Sequence, residues 1–207
     1  MSDFYGDSLF VLQCALEEML SKIELVRSYR KIRGMRDPVE HYKGRIKTEE
    51  SMIEKLKRRG MDVTVENALT KIHDAVGVRI VCRFVDDVYE IADMMSMFSD
   101  LEITERKDYI ASPKPNGYRS YHMVGLLSVT LPGETRQVPV EIQIRTLAQD
   151  TWAALEHQLK YKKDVAGVAL IQKELKRCAD EIASTDLSLQ TVREMMGEDI
   201  NEDTGSR

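Results

Sequence analysis

The segment RQVPVEIQIR (136–145) constrains the fold most strongly, because apolar and polar residues alternate along it. The apolar residues that would share one face are Val138, Val140, Ile142 and Ile144. Side chains alternate across a strand with a period of two, so the segment predicts a strand with one buried and one polar face. Segment 119–130 is also strand-like and the turn LPGE lies between the two, which predicts an antiparallel hairpin.

The rest of the chain alternates between helical and strand-like periods. Apolar seams spaced by three and four residues predict a helix from Leu9 to about Arg33 and another from Ile171 to Met196. Such helices pack on the core, on each other or on another subunit. Further segments predict strands at 75–84 and 101–110, and helices at 48–60, 86–98 and 146–163. With no G-x-G-x-x-G or Walker-type loop, this order favours a mixed α/β fold over a doubly wound dinucleotide fold.

Composition places the chain among cytoplasmic globular proteins. Charged residues make up 31% and hydrophobic residues 43% of 207 residues. The three cysteines are far apart and form no C-x-x-C pair, which is typical of free thiols in a reducing cytosol. The apolar run 9–16 is too short to span a bilayer. We therefore expect a cytoplasmic protein without a membrane anchor.

The net charge of −5 argues against a broad surface for long nucleic acid, but it hides a basic stretch. From Arg27 to Arg59 there are twelve Lys/Arg and five Asp/Glu, a local excess of +7. Lys47, Ser51 and Lys55 are spaced by four residues around a predicted helix start, where free backbone N–H groups favour phosphate. A solvated amphipathic helix is the alternative interpretation of this segment.

A second cluster lies in KDYIASPKPNGYRSYH (107–122). Lys107, Lys114, Arg119 and His122 bracket Tyr118, which follows an Asn-Gly turn. An aromatic ring beside basic residues suits a nucleobase stacked on the ring with its phosphates held by lysines. Alternatively, Tyr118 is a core residue at a strand edge and His122 is structural.

Two acids could form a metal site. Asp74 precedes the predicted strand 75–84, and Glu141 lies on the polar face of 136–145 together with Gln143. Hard carboxylate oxygens from two strands can hold Mg²⁺ between nucleotide phosphates. The dipeptide His73-Asp74 alone does not predict a metal phosphohydrolase, because the chain has four histidines and no H-x-x-H.

Five motifs in order carry a family resemblance. They are GRIKTEES, DAVGVRIVCRF, KDYIASPKPNGYRSYH, EIQIRT and WAALEHQLKYK. Together they resemble the synthetase domain of the Rel/Spo alarmone enzymes, from about Val39 to Lys162, and the length of the chain resembles the stand-alone small alarmone synthetases. The expected organisation is an N-terminal helix (1–35), a (p)ppGpp synthetase domain (36–163) and a C-terminal helix with an acidic tail (164–207).

The resemblance implies a nucleotidyltransferase-like mixed sheet flanked by helices. It also implies transfer of the β,γ-pyrophosphate of ATP to the 3′-hydroxyl of GDP or GTP, which gives (p)ppGpp and AMP. By this resemblance, the ATP-binding residues are Arg45 and Arg79 on either side of adenine, and Lys47, Ser51 and Lys55 at the phosphates. Asp74 and Glu141 would bind Mg²⁺, and Glu141 would also activate the 3′-hydroxyl.

On the acceptor side the resemblance places Tyr118 against guanine. The other residues implied there are Lys107, Lys114, Asn116, His122, Gln143 and Asp150. Asp150 falls where some members have an asparagine facing guanine, and its carboxylate could accept from the guanine N1–H. The mixed run Glu105-Arg106-Lys107-Asp108 leaves the preference between GDP and GTP open.

Two alternatives remain at this point. A toxin-like relative would pyrophosphorylate adenine nucleotides or the 3′ end of tRNA, and a non-catalytic oligomer would bind RNA through the stretch 27–59. In either case the two terminal helices predict a homo-oligomer, since apolar seams seldom stay exposed. The resemblance suggests a tetramer.

Overall fold

The computed structural model describes residues 4–160 and 168–197. Its strands are β1 (Val39–Ile46), β2 (Val76–Cys82), β3 (Leu101–Asp108), β4 (Tyr121–Leu131) and β5 (Glu134–Thr146). They form one sheet in the order β1-β2-β5-β4-β3. Only β2 and β5 pair in parallel among the described strands, and the β4–β5 hairpin is antiparallel. The sheet is therefore mixed, as the sequence predicted.

Helices flank the sheet and follow the predicted spans closely. They are α1 (Ser8–Ile32), α2 (Glu49–Arg58), α3 (Val65–Thr70), α4 (Val85–Met95), α5 (Leu147–Lys160) and α6 (Val168–Met195). The sequence patterns assigned neither α3 nor β1. Residues 161–163 of the predicted helix 146–163, and the acidic tail beyond 197, lie outside the described residues. Across the described ranges, no helix is both long and apolar enough to cross a membrane.

The core lies on one side of the sheet. The apolar face of β5 is at most 3% exposed, and α1 and α4 pack against this side through residues such as Met19, Ile23 and Ile91. The β4–β5 register pairs Ile142 with Met123, which is also fully buried. Burial of this face leaves the polar face of the same strands for chemistry.

The face of α6 that is buried differs from the face that the sequence pattern predicted. Leu189 and Val192, in the C-terminal half of the predicted apolar seam, are more than half exposed, so this part does not pack on the core of this chain. The buried positions of α6 are instead Ala179, Asp186 and Arg193. Polar contacts with other elements fix this face, including a 2.6 Å hydrogen bond from Thr146 Oγ1 to Asp186 Oδ2 and an ion pair between Arg193 and Asp86.

Candidate active site

The polar face of the sheet carries two cross-strand rows of side chains. One row, following the register through β1, β2, β5 and β4, contains Lys43, Arg79, Gln143 and His122. The neighbouring row contains Arg45, Gly77, Glu141 and Val124. Residues opposite each other on adjacent strands share a face. The sheet register therefore brings together residues that are up to a hundred positions apart in the chain.

Asp74 lies just before β2 and lines a pocket on the polar face of the sheet. Its Oδ2 is 3.0 Å from Lys47 Nζ and 2.7 Å from Lys55 Nζ. Lys47 follows β1 and Lys55 lies on α2, which begins after the N-cap Thr48 as predicted. Asp74 Oδ1 is buried and has no hydrogen-bond partner. Buried polar atoms are normally satisfied, so this oxygen is suited to receive a bound group.

Glu141 lines the same pocket and is held in its ionised state. Its Oε2 accepts a 2.7 Å hydrogen bond from Gln143 Nε2, and its Oε1 is 3.7 Å from His122 Nδ1. Burial alone would raise the pKa of Glu141, but His122, Gln143 and the Lys55 charge together lower it to about 2. Glu141 is thus a carboxylate at physiological pH, which suits a cation ligand, although so low a pKa makes it a weak base.

The two acids suit a divalent cation that binds together with a substrate, and they do not form a structural metal site made of protein ligands alone. Within residues 4–160 and 168–197, no three His, Cys, Asp or Glu residues gather as metal ligands. Asp74 and Glu141 both line the pocket, and the free oxygen of Asp74 is a hard donor. Mg²⁺ is commonly bound through one or two carboxylates together with substrate phosphates. The residues present therefore fit Mg²⁺.

Arg45 and Arg79 both line the pocket from neighbouring strands. Gly77 pairs with Arg45 and lies two residues before Arg79, and a Cβ built on Gly77 would meet no atom within 4 Å. Arg79 Nη1 is 3.0 Å from Asp150 Oδ1, while its Nε is buried without a hydrogen-bond partner. Burial and the neighbouring Arg145 lower the pKa of Arg79. The absence of a side chain at Gly77 leaves open space on the sheet next to these two arginines.

Arg145 connects the acceptor-side residues, a role that the sequence did not predict. It is 4% exposed. Its guanidinium donates to Tyr118 Oη at 2.6 Å, to Gln143 Oε1 at 3.0 Å and to Asp150 Oδ1 at 3.0 Å. Since Asp150 Oδ1 also accepts from Arg79, one continuous network of hydrogen bonds links β2, β5, α5 and the loop before β4.

Tyr118 lies in a polar aromatic corner and not in the apolar core. Its hydroxyl is 2.8 Å from His122 Nε2, and the ring of Tyr109 contacts both Tyr118 and His122 edge-on. Lys114 Nζ lies 4.7 Å from the centre of the Tyr118 ring. The aromatic ring, the imidazole and the ammonium group can bind a base with attached phosphates.

Three of the predicted site residues that do not line this pocket pair with other protein groups. The exposed Ser51 hydroxyl pairs with Thr48 Oγ1 at 3.0 Å, as part of the helix cap. Lys107 Nζ pairs with Glu105 at 2.9 Å on the exposed part of β3. Asn116 donates to Glu156 Oε1 at 3.0 Å and accepts from the backbone of Tyr118, so it supports the loop.

The basic stretch 27–59 divides into two parts. Arg30 and Arg36 form ion pairs with Glu90 and Asp87 of α4, which hold α4 against the end of α1 and the segment that follows it. The part from 43 to 55 supplies cations to the pocket. The local excess of charge therefore serves packing as well as the site.

Comparisons with known proteins agree on one family. Residues 44–166 match the family model described as a region found in RelA / SpoT proteins. The chain is 40% identical over 177 residues to the GTP pyrophosphokinase YwaC of Bacillus subtilis, covering 85% of this chain and 84% of that relative. It is similar to the structure of a GTP pyrophosphokinase family protein from Streptococcus pneumoniae, with a TM-score of 0.85, 33% identity, and coverage of 96% of this chain and 97% of that chain. It is also similar to the small alarmone synthetase 1 of Bacillus subtilis bound to its product pppGpp, with a TM-score of 0.83, 31% identity, and coverage of 94% of this chain and 98% of that chain.

Proposed function

The chain belongs to the RelA/SpoT family, and on that premise we propose that it is a GTP pyrophosphokinase. It transfers the β,γ-pyrophosphate of ATP to the 3′-hydroxyl of GDP or GTP, with AMP as the second product. The observation that carries this proposal is a pocket lined by both Asp74 and Glu141, with Lys47 and Lys55 on Asp74, and His122, which contacts Tyr118, beside Glu141.

ATP binds over β1 and β2 in this proposal. Arg45 and Arg79 stack on the two faces of adenine above Gly77, because planar guanidinium groups stack well on aromatic rings. Lys47 and Lys55, which contact Asp74 in the structure, turn toward the ATP phosphates. Ser51 reaches the phosphates only if its hydroxyl leaves Thr48.

Asp74 and Glu141 would hold the Mg²⁺ that accompanies the nucleotide phosphates. The bound ion would neutralise phosphate charge in the pocket. The free Oδ1 of Asp74 and the ionised Glu141 support this assignment.

The acceptor nucleotide binds over β4, β5 and the loop before β4. Guanine stacks on the face of Tyr118 that the Lys114 ammonium covers in the structure. The Lys114 ammonium moves off the ring and binds the phosphates of the acceptor. Asp150 accepts from the guanine N1–H. The remaining contacts proposed for the acceptor come from Gln143, His122, Lys107 and Asn116.

The chain contributes position and charge more than covalent chemistry. The acceptor 3′-oxygen attacks the β-phosphorus of ATP, and the bond from that phosphorus to the α–β bridging oxygen breaks to release AMP. Glu141 accepts the hydrogen bond of the 3′-hydroxyl and receives its proton as the new P–O bond forms. Because its pKa is about 2, its main contribution is to orient the hydroxyl.

The terminal helices form a homo-oligomer in this proposal, and the family resemblance suggests a tetramer. Phe10 and Ile32 of α1 are 60% and 84% exposed, and Leu189 and Val192 of α6 are also exposed. Large exposed apolar side chains on two helices favour burial against another copy. Light scattering on a size-exclusion column measures the number of subunits.

The direct test mixes the full chain with Mg²⁺ and ATP labelled in its β- and γ-phosphates, and adds GMP, GDP, GTP, ADP or tRNA in turn. We expect label on the guanine nucleotides and release of AMP in the same amount. Label on ADP or tRNA alone would favour the toxin-like alternative. RNA binding without turnover of any acceptor would favour the non-catalytic alternative.

A further inference from the structure

We propose that α6, which lies outside the matched family region, is part of the acceptor site because Ala179 and Asp180 position the loop that carries Tyr118. This loop, residues 109–120, joins β3 to β4 and is called the acceptor loop below. The inference rests on the proposed function for the identity of the acceptor. Ala179 and Asp180 are positioning residues, since they contact the loop and not the nucleotide.

A single arginine joins the acceptor loop to the helix. Arg119 Nη1 donates to the backbone oxygens of Gly117 and Ala179, both at 3.1 Å, and its Nη2 donates to Asp180 Oδ1 at 3.0 Å. The guanidinium therefore bonds to the loop backbone, to the helix backbone and to a helix carboxylate at once. The residue next to it in the chain is Tyr118.

The backbone of the loop lies directly on the surface of α6. Gly117 has φ +90°, and a Cβ placed on it would be 2.6 Å from Ala179 Cβ and 3.4 Å from Lys176 Cα. Ala179 is only 3% exposed. A side chain larger than alanine at position 179 would thus push the loop away from the helix, and Tyr118 with it.

The tip of the loop is held partly by its own turn and partly by contacts with other elements. Within the turn, Gly117 N donates to Lys114 O at 2.8 Å and Lys114 N donates to Tyr118 O at 3.1 Å. Contacts with other elements also order it: Arg145 donates to Tyr118 Oη, Asn116 donates to Glu156 of α5, and Arg119 donates to α6. Ordering a loop before the ligand arrives removes part of the entropy cost of binding. We therefore expect α6 to affect the KM of the acceptor.

The helix is itself anchored on both sides of the contact. Trp152 Nε1 donates to Leu175 O at 2.8 Å, four residues before Ala179, and Thr146 bonds to Asp186 farther along. The ion pair of Arg193 with Asp86 holds the C-terminal part. Because α6 is fixed to α5, β5 and α4, it provides a rigid support for the loop.

The test measures KM for GDP and for ATP separately in the full chain. Ala179→Leu should raise the KM for GDP about tenfold, which corresponds to a modest steric displacement. Asp180→Ala should raise it roughly threefold, as expected for the loss of a partly exposed ion pair. The KM for ATP should stay within about twofold of the original value in both variants, because no ATP-side residue contacts α6 in this proposal.

Two matched variants serve as controls. Glu181→Ala removes the neighbouring carboxylate of α6, which pairs with Arg177 on the same helix, and should leave both KM values unchanged. Ala179→Ser keeps a small side chain and should behave like the original chain. A parallel rise of both KM values in Ala179→Leu, or no rise for GDP, would overturn the inference.

Hydrogen exchange keeps the inference testable apart from the proposed function. In Ala179→Leu without nucleotides, amides of the acceptor loop should exchange faster, while those of β5 should be unchanged. Unchanged exchange in the loop would overturn the inference whatever the reaction is. Absence of any pyrophosphorylated guanine nucleotide from the original chain would instead overturn the proposed function.

Discussion

The proposed donor side and the proposed acceptor side of the pocket are held in place by different means. On the proposed donor side, Arg45, Gly77 and Arg79 lie on paired strands, so the backbone ladder sets where their Cα atoms lie. On the acceptor side, Tyr118 lies on a loop that depends on Arg145 and on α6. A group on a sheet tolerates changes around it, whereas a group on a loop depends on its neighbours. The two sides should therefore respond differently to mutation.

The largest effect is expected at Glu141, which lies between the two sides. Glu141→Gln should lower the rate of pyrophosphate transfer by about 10³-fold or more, because the carboxylate that orients the nucleophile is lost. The fold should be retained, since glutamine has nearly the same shape. Single-turnover rates and circular dichroism measure the two quantities. Glu102→Gln, an exposed position on β3, is the matched control, and near-normal synthesis by Glu141→Gln would contradict the assignment.

A side chain at Gly77 should damage the donor side alone. Gly77→Leu places a branched side chain over the pocket floor, so the KM for ATP should rise about a hundredfold. Because no atom lies within 4 Å of the new Cβ, the melting temperature should change little. Gly77→Ala should show a smaller effect in the same direction. If the KM for GDP rises more than the KM for ATP, the division into two sides is wrong.

Loss of Arg145 should instead weaken both the binding of the acceptor and the stability of the fold. Arg145→Leu leaves Asp150 and Tyr118 without their main partner, and we expect the free energy of unfolding to fall by about 3 kcal/mol. The KM for GDP should rise more than that for ATP. Arg136→Leu, on the same strand in an exposed pair with Glu134, should cost less than about 1 kcal/mol in a denaturant titration. Equal losses in the two variants would show that Arg145 is not a centre of the network.

The smallest effect is expected for Asp186, whose carboxyl connects α6 to Thr146. Burial raises the pKa of Asp186, so the folded chain binds this proton more readily than the unfolded chain, and stability falls as pH rises through that range. Asp186→Asn keeps an acceptor for Thr146 and should raise the free energy of unfolding at pH 7, by less than the change expected for Arg145→Leu. The gain should vanish once the carboxyl is protonated in both states. Denaturant titrations of both chains at pH 7 and in acid measure this gain in the free energy of unfolding. A lower free energy of unfolding for Asp186→Asn at pH 7 would contradict the view that burial of the charged carboxylate is unfavourable.

Much of the architecture and the family could be predicted from the sequence. The apolar seam gave α1 its span and alternation gave β5 its buried face, because these patterns report burial locally. The span of α6 was also predicted from its seam, although the C-terminal half of that seam is exposed. The order of five motifs identified the family, which the match over residues 44–166 confirms. β1 was not assigned, because most of its residues are polar, with Lys43 and Arg45 lining the pocket, and only Val39 is buried.

The network around the acceptor could not be predicted, because it depends on contacts between distant segments. Arg145 shares a face with Glu141, and from the sequence alone that face could have been solvated. Its burial comes from the loop carrying Tyr118 and from Asp150 on α5. The inward face of α6 was missed for a similar reason, since Asp186 and Arg193 are buried only because Thr146 and Asp86 lie opposite them.

The parallel pairing of β2 with β5 also determines when the pocket can form during synthesis of the chain. β1 and β2 form one antiparallel unit, β3 to β5 form another, and the two units meet only where β2 pairs with β5. Asp74 belongs to the first unit and Glu141 to the second, so a growing chain has no pocket until its last strand has been synthesised and has closed a long-range contact. In the proposed reaction both substrates bind across the β2–β5 pair, so an incomplete chain would not turn over nucleotide.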